Sequence, residues 1–162
     1  MLERLLEAGF DKDISIKLIN STLIANLEED MYATLDVAIL DLYKGNLEFI
    51  KNGACPTFIK RGKEIQILKS LELPTGIVEN MDLVVYDYDL QPDDLIVMCT
   101  DGVIESNTEY ISKELWIKYL LEDMQTTDAQ KIADIILSEA IDNNYGKQKD
   151  DMTVIVAKIG RF

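Results

Sequence analysis

The sequence predicts an α+β fold in which helices pack on antiparallel strands. Apolar residues recur at helical spacing near both ends of the chain, and they alternate with polar residues through the middle. Short turn sequences rich in glycine, proline, asparagine or aspartate separate the alternating segments. Strands joined by tight turns, with helices before and after them, are typical of antiparallel sheets that carry helices on their faces.

The chain opens with a predicted helical hairpin. A first apolar stripe ends at Gly9, a residue type that commonly follows the last turn of a helix. Asp11 or Asp13 is the predicted N-cap of the second helix, because an aspartate side chain accepts hydrogen bonds from the first free N–H groups. One face of this second helix carries Ile16, Ile19, Leu23 and Leu27.

A series of strands follows, joined by short turns. Between residues 33 and 43, apolar side chains alternate with polar or small ones, so that Leu35, Val37 and Ile39 share one face. The later segments are short and are separated by turn sequences such as Arg61-Gly62. The predicted strands are residues 33–43, 47–51, 57–60, 64–68 and 83–88.

Two further strands enclose the last helices. Leu95–Cys99 is continuously apolar, as expected of a strand buried on both faces, and it follows a predicted turn over residues 91–94. Residues 152–159 form the closing strand, after a polar loop over residues 142–149. Two helices lie between these strands, with Ser112 as the candidate N-cap of the first and Thr127 or Asp128 as that of the second.

Composition excludes several classes of function. The 162 residues include 30 acidic and 16 basic side chains, a net charge of -14, which opposes binding to nucleic acid. The chain has no histidine, which excludes Ser-His-Asp and Cys-His triads and histidine-ligated zinc. Cys55 and Cys99 lie far apart in sequence without metal-site spacing, and no apolar stretch reaches the length of about 18 residues that a membrane span needs.

Two acidic segments are the candidates for chemistry. Asp101 follows the buried strand Leu95–Cys99, and Asp150 and Asp151 precede the closing strand. If these strands are antiparallel neighbours, the carboxylates of Asp101 and Asp150 meet at one rim of the sheet, within about 6–7 Å, where one cation with oxygen ligands fits between them. Mg²⁺ and Mn²⁺ prefer such oxygen ligands.

The same residues have structural interpretations. Asp101-Gly102 is also a common turn dipeptide, and Asp150-Asp151 is also typical of an exposed loop end. Each motif alone favours that structural interpretation. Because the two motifs adjoin buried strands in a chain without histidine, the metal-site and structural interpretations carry similar weight.

Five segments resemble a known family in their order and spacing. They are similar to bacterial PPM-type phosphatases that regulate sigma factors, and most similar to the stage II sporulation protein E family. The likeness covers nearly the whole chain. The segments are residues 31–35 (MYATL), 52–59 (NGACPTFI), 73–77 (LPTGI), 100–105 (TDGVIE) and 149–156 (KDDMTVIV).

The resemblance implies an αββα sandwich with two Mn²⁺ or Mg²⁺ ions at one end of its sheets. Asp101 and Asp150 match the family's metal ligands, whereas Asp151 and Gly102 match neighbours that support the ligands. The only nucleophile is then a metal-activated water that attacks phosphoserine, without a catalytic side chain. The implied partner is a phosphorylated anti-anti-sigma factor in the control of sporulation, and the implied location is the cytoplasm, with a membrane anchor elsewhere in the full-length protein.

In the same family, a further Asp-Gly motif would precede Met1. Residues 1–162 are therefore expected to be the C-terminal portion of one phosphatase domain, with two ligands of a site that needs at least three. We expect this portion alone to bind metal weakly and to have negligible activity. An exposed edge on the strand of residues 33–43 or its neighbour is expected to be covered by a second copy of the chain, by a swapped segment or by distorted local structure. The alternative function is a non-catalytic partner-binding module with the same fold.

Overall fold

The computed structural model describes residues 1–25, 31–41, 43–107, 109–144 and 150–160. These residues form five helices and seven strands, in two compact units. The first unit comprises Met1–Leu40, Leu47–Ala54 and Ser70–Tyr88, and the second comprises Asp41–Asn46, Cys55–Lys69 and Asp89–Phe162. No helix in the described part of the chain is long and apolar enough to cross a membrane.

The first unit opens with the predicted helical hairpin. Helix α1 is Leu2–Glu7 and helix α2 is Lys12–Ile24. Gly9 has a φ of +86° just after α1, a conformation that glycine adopts without strain. Asp11 is the N-cap of α2, because its side chain accepts a hydrogen bond from the N–H of Asp13.

A three-stranded sheet completes the first unit. Its strands are β1 (Leu35–Asp41), β2 (Asn46–Asn52) and β5 (Val85–Asp89), in the order β1-β2-β5. Strand β1 is therefore at an edge of this sheet within the described residues, and it is one of the two strands for which an exposed edge was predicted. Buried Ile16 of α2 packs in this unit with Ile50 and Met81. Of the apolar face predicted for α2, Leu27 lies outside the described residues.

The second unit contains a four-stranded antiparallel sheet. Its strands are β3 (Thr57–Arg61), β4 (Glu64–Leu68), β6 (Leu95–Cys99) and β7 (Val154–Lys158), in the order β4-β3-β6-β7. Central strand β6 is buried at all but one of its positions, which explains its continuously apolar sequence.

Three helices belong to this second unit: α3 (Asp101–Ile104), α4 (Leu115–Asp123) and α5 (Ala129–Asn143). Apolar side chains of all three helices form one core with those of the sheet. Asp128 is the N-cap of α5, because its carboxylate accepts the N–H of Lys131. The fully buried members of this core include Phe58, Val97, Val103, Ile117, Leu121, Ile132, Ile136 and Ala140.

Three details of the sequence-based prediction were wrong. Ser112 does not cap α4 with its side chain: Glu114 is the N-cap residue, and the carbonyl oxygen of Ser112 accepts the N–H of Leu115 at 3.0 Å. Helix α3 was missed, because Asp-Gly is a common turn dipeptide. Helix α5 continues to Asn143, into the predicted polar loop, of which residues 145–149 lie outside the described residues.

A buried ion pair fixes the turn ahead of β6. The N–H of Asp94 donates to the carbonyl of Gln91, and Asp93 takes a φ of 72°, as in a type II turn with proline at its second position. The Asp94 side chain is 1% exposed, and it accepts hydrogen bonds from Arg61 Nε at 2.9 Å and Nη2 at 2.7 Å. Strand β3 is thereby tied to the turn that starts β6.

Replacing Arg61 by methionine is expected to destabilise the protein by about 2 kcal/mol. The substitution leaves the buried Asp94 carboxylate without its cation, a loss that is reduced because Arg61 is itself partly exposed. Urea unfolding followed by circular dichroism measures the change. Lys63→Met, at an exposed position of the same hairpin, is the matched control and should change stability by less than about 0.5 kcal/mol. Equal effects of the two substitutions would contradict the role of the buried pair.

Candidate metal centre

The pairing of β6 with β7 brings the two acidic segments to one end of the sheet. The strands are antiparallel, and Cys99 at the end of β6 pairs with Val154 at the start of β7. Beyond this pair, the N–H of Thr100 donates to the carbonyl of Thr153 at 3.1 Å, and the N–H of Thr153 donates to Thr100 Oγ1 at 2.9 Å. The neighbouring antiparallel strands predicted from the sequence are therefore confirmed.

Gly102 is the point of contact between the two segments. A Cβ atom on this residue would overlap the carbonyl oxygen of Asp151 and would lie 3.3 Å from Asp150 Cβ. Thr100 adds a second link, because its hydroxyl donates to the Asp151 carbonyl at 3.2 Å. Only a residue without a side chain allows the start of α3 to approach the segment ahead of β7 this closely.

The three carboxylates lie at this rim, at positions exposed to solvent. Asp101 Oδ1 accepts the N–H of Gly102 at 2.9 Å, and Asp150 Oδ1 accepts the N–H of Asp151 at 2.8 Å. Each of these bonds limits the rotation of its carboxyl group relative to the backbone. The structure thus brings Asp101 and Asp150 to the same place, and their shared ligation of a cation stays a prediction.

The donor chemistry at this rim fits Mg²⁺ or Mn²⁺. Both ions are bound by carboxylate oxygens, and Mg²⁺ is often held by only one or two carboxylates together with water and substrate phosphate. Among the described residues, no group of three or more histidine, cysteine or acidic side chains is arranged to hold a metal ion. The rim therefore offers the carboxylates of Asp101 and Asp150 and not a closed all-protein cage.

A pocket of about 420 Å³ adjoins Asp101 within the second unit. Cys55 and Pro56 line it ahead of β3, Ile104 of α3 and the following Glu105 line another part, and residues 111–114 complete its wall. We call it the Asp101 pocket. Sequence reasoning missed it, because its walls come from three separate segments that meet only in the folded chain.

Buried groups behind the pocket hold α3 in place. Trp116 is buried, as predicted, and its indole N–H donates to the carbonyl of Ile104 at 3.1 Å. Cys99 is 9% exposed, and burial, together with the nearby Cys55, raises the pKa of its thiol to about 12. Cys99 is thus a buried thiol of the core.

A family model described as Stage II sporulation protein E (SpoIIE) matches residues 1–160. The chain belongs to the stage II sporulation protein E family. It is 38% identical over 159 residues to stage II sporulation protein E of Bacillus subtilis and to that of Priestia megaterium. Those matches cover 98% of this chain but only 19% and 27% of the two relatives, so the chain spans about a fifth to a quarter of their length.

Solved structures of this family have the same fold. The PP2C phosphatase domain of SpoIIE from Bacillus subtilis, solved with a fragment of its regulatory domain, matches with a TM-score of 0.89 and 38% identity. The match covers 98% of this chain and 48% of that chain. The manganese-presoaked phosphatase domain matches with a TM-score of 0.75 and 36% identity, over 98% of this chain and 71% of that one. The predicted α+β fold and the resemblance to this phosphatase family are confirmed.

Proposed function

We propose that this stage II sporulation protein E family chain is part of a metal-dependent serine phosphatase and holds two of its metal ligands, Asp101 and Asp150. The observation that carries the proposal is the packing of Gly102 on the Asp150–Asp151 segment, which puts both carboxylates at one exposed rim. The similarity to PP2C phosphatase domains supports the reaction type.

Within this proposal, each residue at the rim has a distinct role. The carboxylates of Asp101 and Asp150 would hold Mn²⁺ or Mg²⁺, which when bound supplies an activated water and stabilises charge on the phosphate. Thr100 and Gly102 fix the spacing of the two acidic segments. The Asp151 carbonyl accepts a hydrogen bond from the Thr100 hydroxyl and packs against Gly102. The chain itself contributes no histidine as general base.

The proposed substrate is phosphoserine in a protein. One relative, 25% identical over 160 residues that make up 97% of this chain and 48% of its own length, is named phosphoserine phosphatase RsbU of Bacillus subtilis. The exposed position of the acidic rim suits a phosphorylated side chain on another folded protein. We propose a phosphorylated anti-anti-sigma factor as this partner, and the cytoplasm as the place where the two proteins meet.

The test is hydrolysis by the full-length gene product. A phosphorylated anti-anti-sigma factor from the same genome should release inorganic phosphate in the presence of Mn²⁺ or Mg²⁺, and a chelator should abolish the release. The matched control is the same protein phosphorylated on threonine at the same site. Binding of the phosphoserine protein at saturating metal without any release of phosphate would contradict the proposal and would favour a non-catalytic partner-binding module.

A further inference from the structure

The Asp101 pocket is large enough for an amino-acid side chain and opens next to a proposed metal ligand. Its volume of about 420 Å³ is at the lower end of the range for ligand sites in proteins. Besides Asp101, the pocket is lined by eight residues that have no role in the proposed metal site. The pocket therefore calls for a separate occupant.

The uncharged part of the pocket wall is mostly apolar. Pro56 and Ile104 line it from opposite segments, and Ile111 stands at its side with a relative exposure of 105%. Tyr110 precedes Ile111 in the sequence. Its partly exposed ring lies 5.7 Å from the ring of Tyr119, measured between the ring centroids. Ile111 is thus a fully exposed apolar side chain at the pocket. Covering it with another apolar group is favourable, because apolar surface is then removed from water.

Three of the charged side chains that line the pocket, Glu105, Lys113 and Glu114, form ion pairs within the chain. Lys113 Nζ lies 2.9 Å from Glu105 Oε1, and Lys69 forms an ion pair with Glu114. Burial has the largest single effect on the pKa of Glu114 and raises it, but the hydrogen bond from Lys69, a backbone hydrogen bond and the charge of Lys69 together hold this pKa below its usual value. When a cation is bound to Asp101, every charged side chain of the pocket wall has an opposite charge beside it. A group that enters the pocket therefore does not need to be charged.

We propose that the Asp101 pocket receives an apolar side chain next to the phosphoserine of the protein substrate. This inference rests on the proposed function, since the phosphoserine must reach Asp101. Neighbouring residues of an extended peptide are 3.8 Å apart at their Cα atoms, so a side chain one or two positions from the phosphoserine can enter a pocket that Asp101 itself lines. Leucine, isoleucine, valine and methionine have the required size and polarity.

Synthetic phosphoserine peptides test the inference on the full-length gene product with Mn²⁺. The peptides are identical except at one of the two positions before or the two positions after phosphoserine, which carries leucine, alanine, aspartate or lysine. We expect kcat/KM for a leucine peptide to exceed that for the alanine peptide about tenfold. Leucine has apolar groups that alanine lacks, and their burial in a pocket favours the larger substrate to about this extent. Aspartate and lysine peptides should be no better than alanine peptides.

Ile111→Ser should reduce the preference for leucine to about twofold or less, mainly through KM, because the substitution removes an apolar wall. Leu71→Ser is the matched control, because Leu71 is also an exposed aliphatic residue, at 89%, but does not line the pocket. This control should retain the full preference.

The outcomes separate the inference from the proposed function. Equal rates for leucine and alanine peptides, a preference for a charged neighbour, or a leucine preference that survives Ile111→Ser would overturn the inference while metal-dependent hydrolysis persists. Absence of metal-dependent hydrolysis of both p-nitrophenyl phosphate and every peptide would overturn the proposed function and the inference together.

Discussion

Asp101→Asn should lower the metal-dependent phosphoserine hydrolysis of the full-length gene product by at least about 100-fold, whereas Asp151→Asn should lower it far less. The amide of asparagine keeps the shape of the side chain but removes the negative charge that attracts a divalent cation. Changes to groups that only support a metal ligand typically cost 10- to 100-fold in affinity or activity, so loss of a ligand is expected to cost more.

Asp151 is the matched control because its observed contacts use backbone atoms. Its carbonyl accepts the Thr100 hydroxyl and faces Gly102, and its N–H donates to Asp150. Asparagine preserves all of these contacts. Activity measured over a series of Mn²⁺ concentrations, beside calorimetric titration of the metal, separates weaker metal binding from slower chemistry. Equal losses for the two variants would mean that Asp151, and not only Asp150, acts as a ligand.

The sequence predicted those elements whose signals are local. Alternation over residues 33–43 predicted β1, and the continuous apolar run Leu95–Cys99 predicted the buried strand β6. The turn over residues 91–94 followed from the preference of proline for the second position of a turn. Each of these patterns reflects the local geometry of the backbone or burial on one or both faces.

Features that depend on packing between distant segments were harder to predict. The sequence predicted that Asp101 and Asp150 lie close together only on the condition that β6 and β7 are neighbours. No local sequence pattern could establish that pairing. The four residues of α3 are too few for a periodic signal, and the Asp-Gly pair favoured a turn. Glu114 occupies the N-cap position of α4 without a side-chain capping bond, and its carboxylate pairs with Lys69 of another segment, which the sequence around Ser112 does not reveal.

Gly102 is the residue whose importance the sequence could not explain and the structure can. Asp101-Gly102 is a common turn dipeptide, but Gly102 lies in α3 without a positive φ. Its hydrogen atoms, in place of a side chain, allow the backbone at Asp151 to pack against the start of α3. Glycine is thus required here by close approach of two backbone segments and not by an unusual conformation.

Gly102→Ala is therefore expected to lower phosphoserine hydrolysis and Mn²⁺ affinity by about tenfold or more and to destabilise the protein by about 1–3 kcal/mol. The added methyl group would overlap the Asp151 carbonyl, so that the segment carrying Asp150 must move away from Asp101. Urea unfolding measures the loss of stability, and calorimetric titration measures the loss of metal affinity. Both losses should appear in the same variant, because one displacement causes both.

Gly160→Ala is the matched control for this substitution. Gly160 also has no positive φ, and a Cβ atom there would meet nothing within 4 Å, so the same chemical change is made without the overlap. We expect its stability, metal affinity and activity to remain close to those of the unmodified protein. Native metal affinity and activity in Gly102→Ala would show that Asp101 and Asp150 do not depend on this contact, and the ligand pair proposed here would have to be abandoned.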